Sequence, residues 1–302
     1  MKIKAAIIGL GKVFHRRDKF NQYTHFRSLL ALKKNLKLVC AVDPIKKRRL
    51  IAENYFNCET YHDLNILKNK EIDLLILCSP TSSHLSNLLK ILKLIKKKPK
   101  IILFEKPVGS SIKQSLKIKQ ICKKNKILIF VNYFRDYEDM LKEIKKIFNS
   151  NSEGYVEFSG NYMNNSSHFI SLFMKIFGQP IKIKVVKKKK IKNDHILDFN
   201  LYFKNKNVCY FKNTYHKKNH HFFRISNKKK ILTFNNFEQS YNIKLNNKTN
   251  SKKIKLCQNF NKVYENVIKY FNKKKYCLSS IENAIKVHKI LLVCQKKISM
   301  TL

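Results

Sequence analysis

The sequence predicts an α/β protein: a doubly wound parallel sheet over residues 1–131, then a second α+β domain over residues 132–302. Three observations predict it. Continuous apolar runs, the mark of strands covered on both faces, recur five times before residue 132. Helical segments separate them. Beyond Asn132 the runs give way to short strands between polar turns, as in an antiparallel sheet.

The first strand is read in "KAAIIG" (4–9), and the next helix is expected to start at Thr24, a good N-cap before "HFRSLLALKK". "KLVCAVD" (37–43), "DLLILCS" (73–79), "KIILFE" (100–105) and "KILIFVN" (126–132) complete the five strands. "HLSNLLKILKLIKK" (84–97) sets Leu85, Leu88, Leu89, Leu92 and Ile95 on one helical face. The helix over 111–124 opens at a serine cap, Ser110 or Ser111. In the second domain a helix is expected over 137–148, an alternating strand over 153–160, and a helix over 166–180 stopped by Gly178 and Pro180. An antiparallel meander follows from 181 to about 245. Phe260, Val263, Tyr264, Val267, Ile268 and Phe271 then form one helical stripe, and the last helix (279–295) opens on a Ser279…Glu282 capping box and packs back. The lysine runs at 187–190 and 228–230 read as solvated edge or loop charge that blocks sheet-edge pairing.

The formal charge of +45 raises the question of a nucleic-acid or anionic-membrane partner. Its make-up argues against one. The arginines are only Arg16, Arg17, Arg27, Arg48, Arg49, Arg135 and Arg224, and lysines are spread over the whole chain. Arginine is the preferred fork for phosphate and base edges, whereas abundant Lys, Asn and Ile follow AT-rich codons. Neither a specific nucleic-acid partner nor a membrane partner is expected. No two of the eight cysteines sit at CxxC spacing, so no metal site is expected, and free thiols in apolar runs point to a reducing, cytoplasmic setting. No stretch reads as a signal peptide or membrane span.

"IIGLGKVF" follows the first strand. Gly9 and Gly11 supply the tight turn and close backbone approach a pyrophosphate needs, with Phe14 where a third glycine is usual. Asp43 ends the second strand, 29 residues after Phe14 against a usual spacing of about 20, and the excess is placed in an enlarged loop, "KVFHRRDKFNQY". Together these residues read as a Rossmann dinucleotide site for NAD, since Asp43 can accept from ribose hydroxyls and repel a 2′-phosphate. Lys46, Lys47 and Arg48 keep NADP open.

"AAIIGLGK", "VCAVDP", "YHDL" (61–64), "DLLILCSPTSSH", "ILFEKPVGSS" (103–111), "VNYFRDY" and "NNSSHFISLFMKIFG" (164–178) stand in the order found in the Gfo/Idh/MocA oxidoreductases. The chain resembles that family over residues 1–180 and in its C-terminal helix, most of all the branch associated with polysaccharides. The resemblance implies a Rossmann domain plus a domain with an open-faced, mainly antiparallel sheet, which pairs with another subunit as a homodimer or homotetramer. It implies hydride transfer between a nicotinamide and a carbinol or ketone of a sugar, sugar nucleotide or cyclitol. It matches Lys106 to the family's catalytic lysine and His168 to its catalytic histidine. It places Asn164 where Asp is common, and Pro107 where the bond is often cis. Cofactor contacts are expected at Gly9, Gly11, Lys12, Val13 and Asp43, at Ser79, Pro80, Thr81 and His84 after the third strand, and at Glu105, Lys106 and Asn132. Tyr133 and Arg135 stand open between contact and structural roles.

His168, with a pKa near neutrality, suits proton acceptance, and a place in the first turn of its helix would disfavour imidazolium. Lys106 would steady a developing alkoxide, and Asn164 would orient the substrate or the imidazole. In isolation Lys106 would read as a solvated tether and His168 as a helix-cap histidine. The phenylalanines of 169–177 read as core. The departures at Phe14, Asn164, Ser166 and Ser171 leave a second possibility, a catalytically degenerate nucleotide-binding regulator or scaffold of the same fold.

Overall fold

Strands form where the apolar runs lie, and also in places where none does, at "ETY" and "KTNSKK". A computed structural model describes residues 2–16, 24–137, 141–191, 194–215, 220–228, 230–235, 240–245, 248–253, 256–277, 279–296 and 300–301. The chain divides into two units, Met1–Asn132 with Cys257–Ile285, and Tyr133–Leu256 with Lys286–Leu302.

The first unit holds β1 (Ile3–Ile8), β2 (Leu36–Val42), β3 (Glu59–Tyr61), β4 (Leu74–Leu77), β5 (Ile101–Phe104) and β6 (Leu128–Val131), all parallel, in the order β3-β2-β1-β4-β5-β6. Every residue of β4 and β5 is buried, as continuous apolar strands require. The sixth strand, β3, was not anticipated: "ETY" is a half-exposed edge strand whose polar residues give no apolar signal. The order reverses between β1 and β4, so the carboxyl ends of these strands flank the crevice where open sheets bind ligands.

The helices are α1 (His25–Ala31), α2 (Lys46–Phe56), α3 (His84–Leu94) and α4 (Ile112–Lys124). Thr24 Oγ1 accepts from Arg27 N and Ser111 Oγ from Gln114 N, so the cap is Thr24 as expected and Ser111 rather than Ser110. On α3 the inward face is His84, Leu88 and Ile91, with Ile95 just beyond; Leu89, expected inside, is exposed. Of the enlarged loop, residues 17–23 lie outside those described. Its ends pair, with His25 N on Val13 O and Phe26 N on Phe14 O. Helix α7 (Leu256–Phe271) buries Phe260, Val263, Tyr264 and Val267. The last helix, α8 (Ile281–Lys296), is capped one residue later than expected, Ser280 Oγ accepting from Asn283 N. Ser279 is held off the helix because its carbonyl accepts from Val131 N at the end of β6.

The second unit holds α5 (Leu141–Ile147), β7 (Glu153–Phe158), α6 (Tyr162–Phe177), and β8 (Pro180–Ile191) through β9 (Asp194–Phe203), β10 (Val208–Asn213), β11 (His221–Ser226), β12 (Lys230–Asn235), β13 (Ser240–Leu245), β14 (Lys248–Lys253) and β15 (Met300–Thr301). Of the helix expected over 137–148, Tyr137 ends a short 3-10 turn (Phe134–Tyr137), residues 138–140 lie outside those described, and α5 ends at Ile147. The nine strands run β14-β13-β12-β11-β7-β10-β9-β8-β15, antiparallel except for β7 with β10. Val156, Phe158, Phe211, Phe223, Leu232 and Phe234 are buried, while alternate residues Tyr155, Glu157, Tyr210 and Arg224 reach solvent, so one face is open. Phe169, Phe173 and Phe177 of α6 are core, as read from the sequence. The run Lys187–Lys190 lies in β8, in register with β9, and β15 covers that strand only at Lys182 and Ile183. These lysines are therefore edge charge rather than loop; the other run includes Lys229, which is outside the described residues.

Candidate active site

The turn after β1 is shaped by two glycines with different duties. Gly9 has φ +93°, and a Cβ there would lie 2.5 Å from Ser79 N and 2.7 Å from the Cys78 carbonyl carbon, so the β1 turn rests directly on the end of β4. Nothing lies within 4 Å of a Cβ added to Gly11. That open space is what a diphosphate needs. Phe14, fully buried, meets Phe26 at 5.9 Å and Phe56 at 6.4 Å. Its ring fills the gap that opens because α1 starts at His25 instead of at the turn. Lys12 and Val13 are exposed.

Asp43 is 3 % exposed, and its carboxylate accepts from Leu10 N at 2.8 Å and Ile45 N at 2.9 Å, tying the end of β2 to the glycine turn. Arg48 Nη1 stands 3.5 Å from Asp43 Oδ2, and Arg49 donates to the carbonyls of Asp43 and Pro44. After β4, Ser79 Oγ accepts from Ser83 Oγ and Asn87 Nδ2; Pro80 is exposed and Thr81 half-buried. The buried His84 ring spans Ser79 O (2.9 Å) and Val108 O (3.0 Å), latching the β4–α3 turn to the turn after β5. Burial lowers its pKa against those two hydrogen bonds.

The Glu-Lys-Pro segment follows β5, and the Lys106–Pro107 bond is cis. Glu105, 9 % exposed, accepts on Oε1 from Asn132 Nδ2 (2.5 Å) and from His25 Nε2 (3.0 Å). His25 Nδ1 lies 2.5 Å from Tyr264 Oη. Burial alone would raise the Glu105 carboxyl; the hydrogen bond and charge of His25, then Lys106 and Asn132, hold it below its ordinary value. Burial lowers the Lys106 ammonium to about 8, against the raising effect of Glu105. A lysine so placed exchanges its proton near neutral pH, unlike a solvated tether. Asn132 Oδ1 is buried with no hydrogen-bond partner among the described residues, its amide orientation fixed by Glu105. An orphan acceptor beside a buried lysine at the carboxyl ends of β5 and β6 suits a carboxamide N–H, so these residues fit a nicotinamide dinucleotide.

In the second unit, α6 starts at Tyr162 under an Asn161 cap, four residues before the expected start. His168 is thus its seventh residue, in the second turn. The helix-end argument for a neutral imidazole does not hold there, because that field fades beyond the first turn. The ring sits 4.6 Å from Phe134 and 5.8 Å from Tyr133. Asn164, exposed and one turn earlier, shares its face. Ser166 donates to Tyr162 O and Ser171 to the buried Asp136 carboxylate. Arg135, 4 % exposed, lies over Phe169 (4.7 Å), Phe134 (5.2 Å) and Phe234 (5.5 Å), a structural role within this unit. His25 and Tyr264 went unnoticed in the sequence. The one local signal was a histidine directly after the N-cap Thr24, and Tyr264 was indistinguishable from its apolar stripe.

Residues 3–133 match the family model GFO_IDH_MocA, described as "Oxidoreductase family, NAD-binding Rossmann fold". Over that stretch, less than half of the chain, the Rossmann unit is similar to the Gfo/Idh/MocA oxidoreductases. The scyllo-inositol 2-dehydrogenase (NAD(+)) of Bacillus subtilis (strain 168) is 24% identical over 147 residues, 48% of this chain and 40% of that protein. The match therefore spans well under half of the curated relative. The UDP-N-acetylglucosamine 3-dehydrogenase of Acidithiobacillus ferrooxidans shares the fold over 99% of this chain and 98% of its own, with TM-score 0.81 and 11% identity. So does a super-repressor mutant of Gal80p from Saccharomyces cerevisiae, over 98% and 96%, with TM-score 0.77 and 13% identity. At these identities the likeness extends to the fold alone.

Proposed function

We propose that this chain is an NAD(P)-dependent oxidoreductase acting on a carbinol or ketone of a sugar, sugar nucleotide or cyclitol. The observation that carries the reading is Lys106: a half-buried lysine, its pKa lowered to about 8, beside an anionic Glu105 at the carboxyl end of a family-matched parallel sheet. The bound nicotinamide supplies the hydride acceptor or donor. Gly9 lets the turn close on β4 and Gly11 gives the diphosphate its room, Asp43 accepts from the adenosine ribose, and Asn132 Oδ1 takes an N–H of the carboxamide. Ser79, Pro80 and Thr81 border the turn on which Gly9 rests, with His84 holding it from behind. Lys106 steadies the charge that develops on the substrate oxygen and can give or take its proton. His168 accepts the carbinol proton, and Asn164, on the same helical face, orients substrate or ring. The cytoplasm is the proposed location, with pairing through the open face of the nine-stranded sheet as a homodimer or homotetramer.

The test is turnover of nicotinamide absorbance with a panel of ketosugars, sugar nucleotides and inositols. Lys106→Ala should lower kcat at least about 10³-fold, the scale of losing a positioned electrostatic group, with NADH affinity kept; retained turnover refutes the role. The Gal80p likeness favours a second reading, a cofactor-binding regulator. It predicts NADH binding with no turnover on any substrate.

A further inference from the structure

The first unit contains a polar chain of which two members, His25 and Tyr264, have no part in the proposed chemistry. It crosses the core from α7 to the end of β5: Tyr264, His25 and Glu105, with Asn132 joining from β6. His25 is fully buried and Tyr264 is among the largest fully buried side chains. Such a chain is costly unless its polar groups find partners, and here Tyr264, His25 and Glu105 find one another. Glu105, held anionic, can only accept, so His25 must donate its Nε2–H to Oε1. The ring's other nitrogen, Nδ1, lies 2.5 Å from Tyr264 Oη, so the tyrosine holds the imidazole from behind. Asn132 must point its NH₂ at the same oxygen. The hydrogen bonds link Tyr264 through His25 to the carboxylate next to Lys106 in the chain.

We infer that His25 and Tyr264 are positioning residues, whose hydrogen-bond chain keeps Glu105 anionic and in place and thereby fixes how readily Lys106 gives up its proton. Without the His25 donor, a carboxyl this buried tends to take up a proton, and Lys106 loses the neighbouring charge that favours its ammonium. Among the described residues, several groups face Glu105. They are His25 from α1 with Tyr264 behind it on α7, Asn132 from β6, Lys106 itself, and Cys78 and His84 from the end of β4 and the start of α3. Burial keeps the Cys78 thiol well above its ordinary value and lowers the His84 pKa, so neither replaces the His25 donor. The importance of this lysine rests on the proposed dehydrogenase reading; the linkage between His25 and Lys106 does not.

The experiment needs neither cofactor nor sugar. Lys106 is titrated in the full chain by competitive labelling with isotopic acetic anhydride over a pH series, with its peptide quantified by mass spectrometry. The wild-type midpoint is expected near 8. His25→Ala should lower it by roughly one pH unit, the scale of losing a close opposite charge, and Glu105→Gln should lower it at least as far. Tyr264→Phe keeps the ring and removes one hydroxyl, so it should move the midpoint the same way by less, which covers the case in which His25→Ala does not fold. A Lys106 midpoint unchanged in folded Tyr264→Phe and His25→Ala, or raised in either, overturns the inference. A normal shift with no NADH binding in wild type would sink the dehydrogenase reading and leave the linkage standing.

Discussion

The two glycines of the β1 turn can be told apart by one methyl group. At Gly9 an added Cβ would press within 2.5–2.7 Å of the backbone at Cys78 and Ser79, at φ +93°. A non-glycine residue in such a conformation costs about 1–3 kcal/mol, and overpacking against backbone that cannot rotate away adds about 1–3 kcal/mol. Gly9→Ala should therefore lose roughly 2–6 kcal/mol, read as a Tm drop of roughly 5–15 °C for a chain of this size. Gly11→Ala meets nothing within 4 Å. Its Tm should stay within about 2 °C or rise slightly, since alanine restricts the unfolded chain. Yet its methyl enters the space assigned to the diphosphate, and NADH affinity should fall at least about 10-fold, or about 1.4 kcal/mol. Thermal unfolding of apo protein and calorimetric titration with NADH and ADP-ribose separate the effects. Two results would refute the reasoning: Gly11→Ala binding both ligands like wild type, or Gly9→Ala melting like wild type.

Two further predictions follow from the charges. The folded Lys106 value of about 8 lies below its ordinary 10.5, so the unfolded chain binds the extra proton between those values and stability rises with pH across that window. The penalty is full below pH 8 and amounts to at most about 3 kcal/mol. Lys106→Met should accordingly be more stable than wild type by about 1–2 kcal/mol at pH 7, with the gain fading as pH approaches 10.5, as measured by denaturant unfolding; a gain independent of pH would contradict the desolvation account. At the adenosine end, Arg48 stands 3.5 Å from Asp43 with its side chain 45% exposed. Arg48→Ala should weaken NADPH about fivefold, the worth of an exposed ion pair, and leave NADH unchanged or slightly tighter. Equal losses for both cofactors in paired titrations would remove Arg48 from phosphate selection.

The parallel sheet was legible in the residues alone, because β1, β2, β4, β5 and β6 are covered over most of their length and near-continuous apolar runs mark such strands. So were the glycine turn, the Thr24 cap and the Glu-Lys-Pro segment, each written in adjacent residues. What the sequence could not show is carried by distant pairings. The edge strand β3 exists because Cys40–Val42 offer it hydrogen bonds, not because "ETY" prefers to be a strand. Asn161 starts α6 early enough to move His168 out of the first turn, since a cap competes locally with every later candidate. Most of all, His25, Glu105 and Tyr264 are separated by 80 and 239 residues along the chain from His25. Burial forced them together, because a carboxylate folded into a core must find donors wherever packing supplies them. Local pattern encodes which elements form; the partners of a buried charge are decided only when those elements pack.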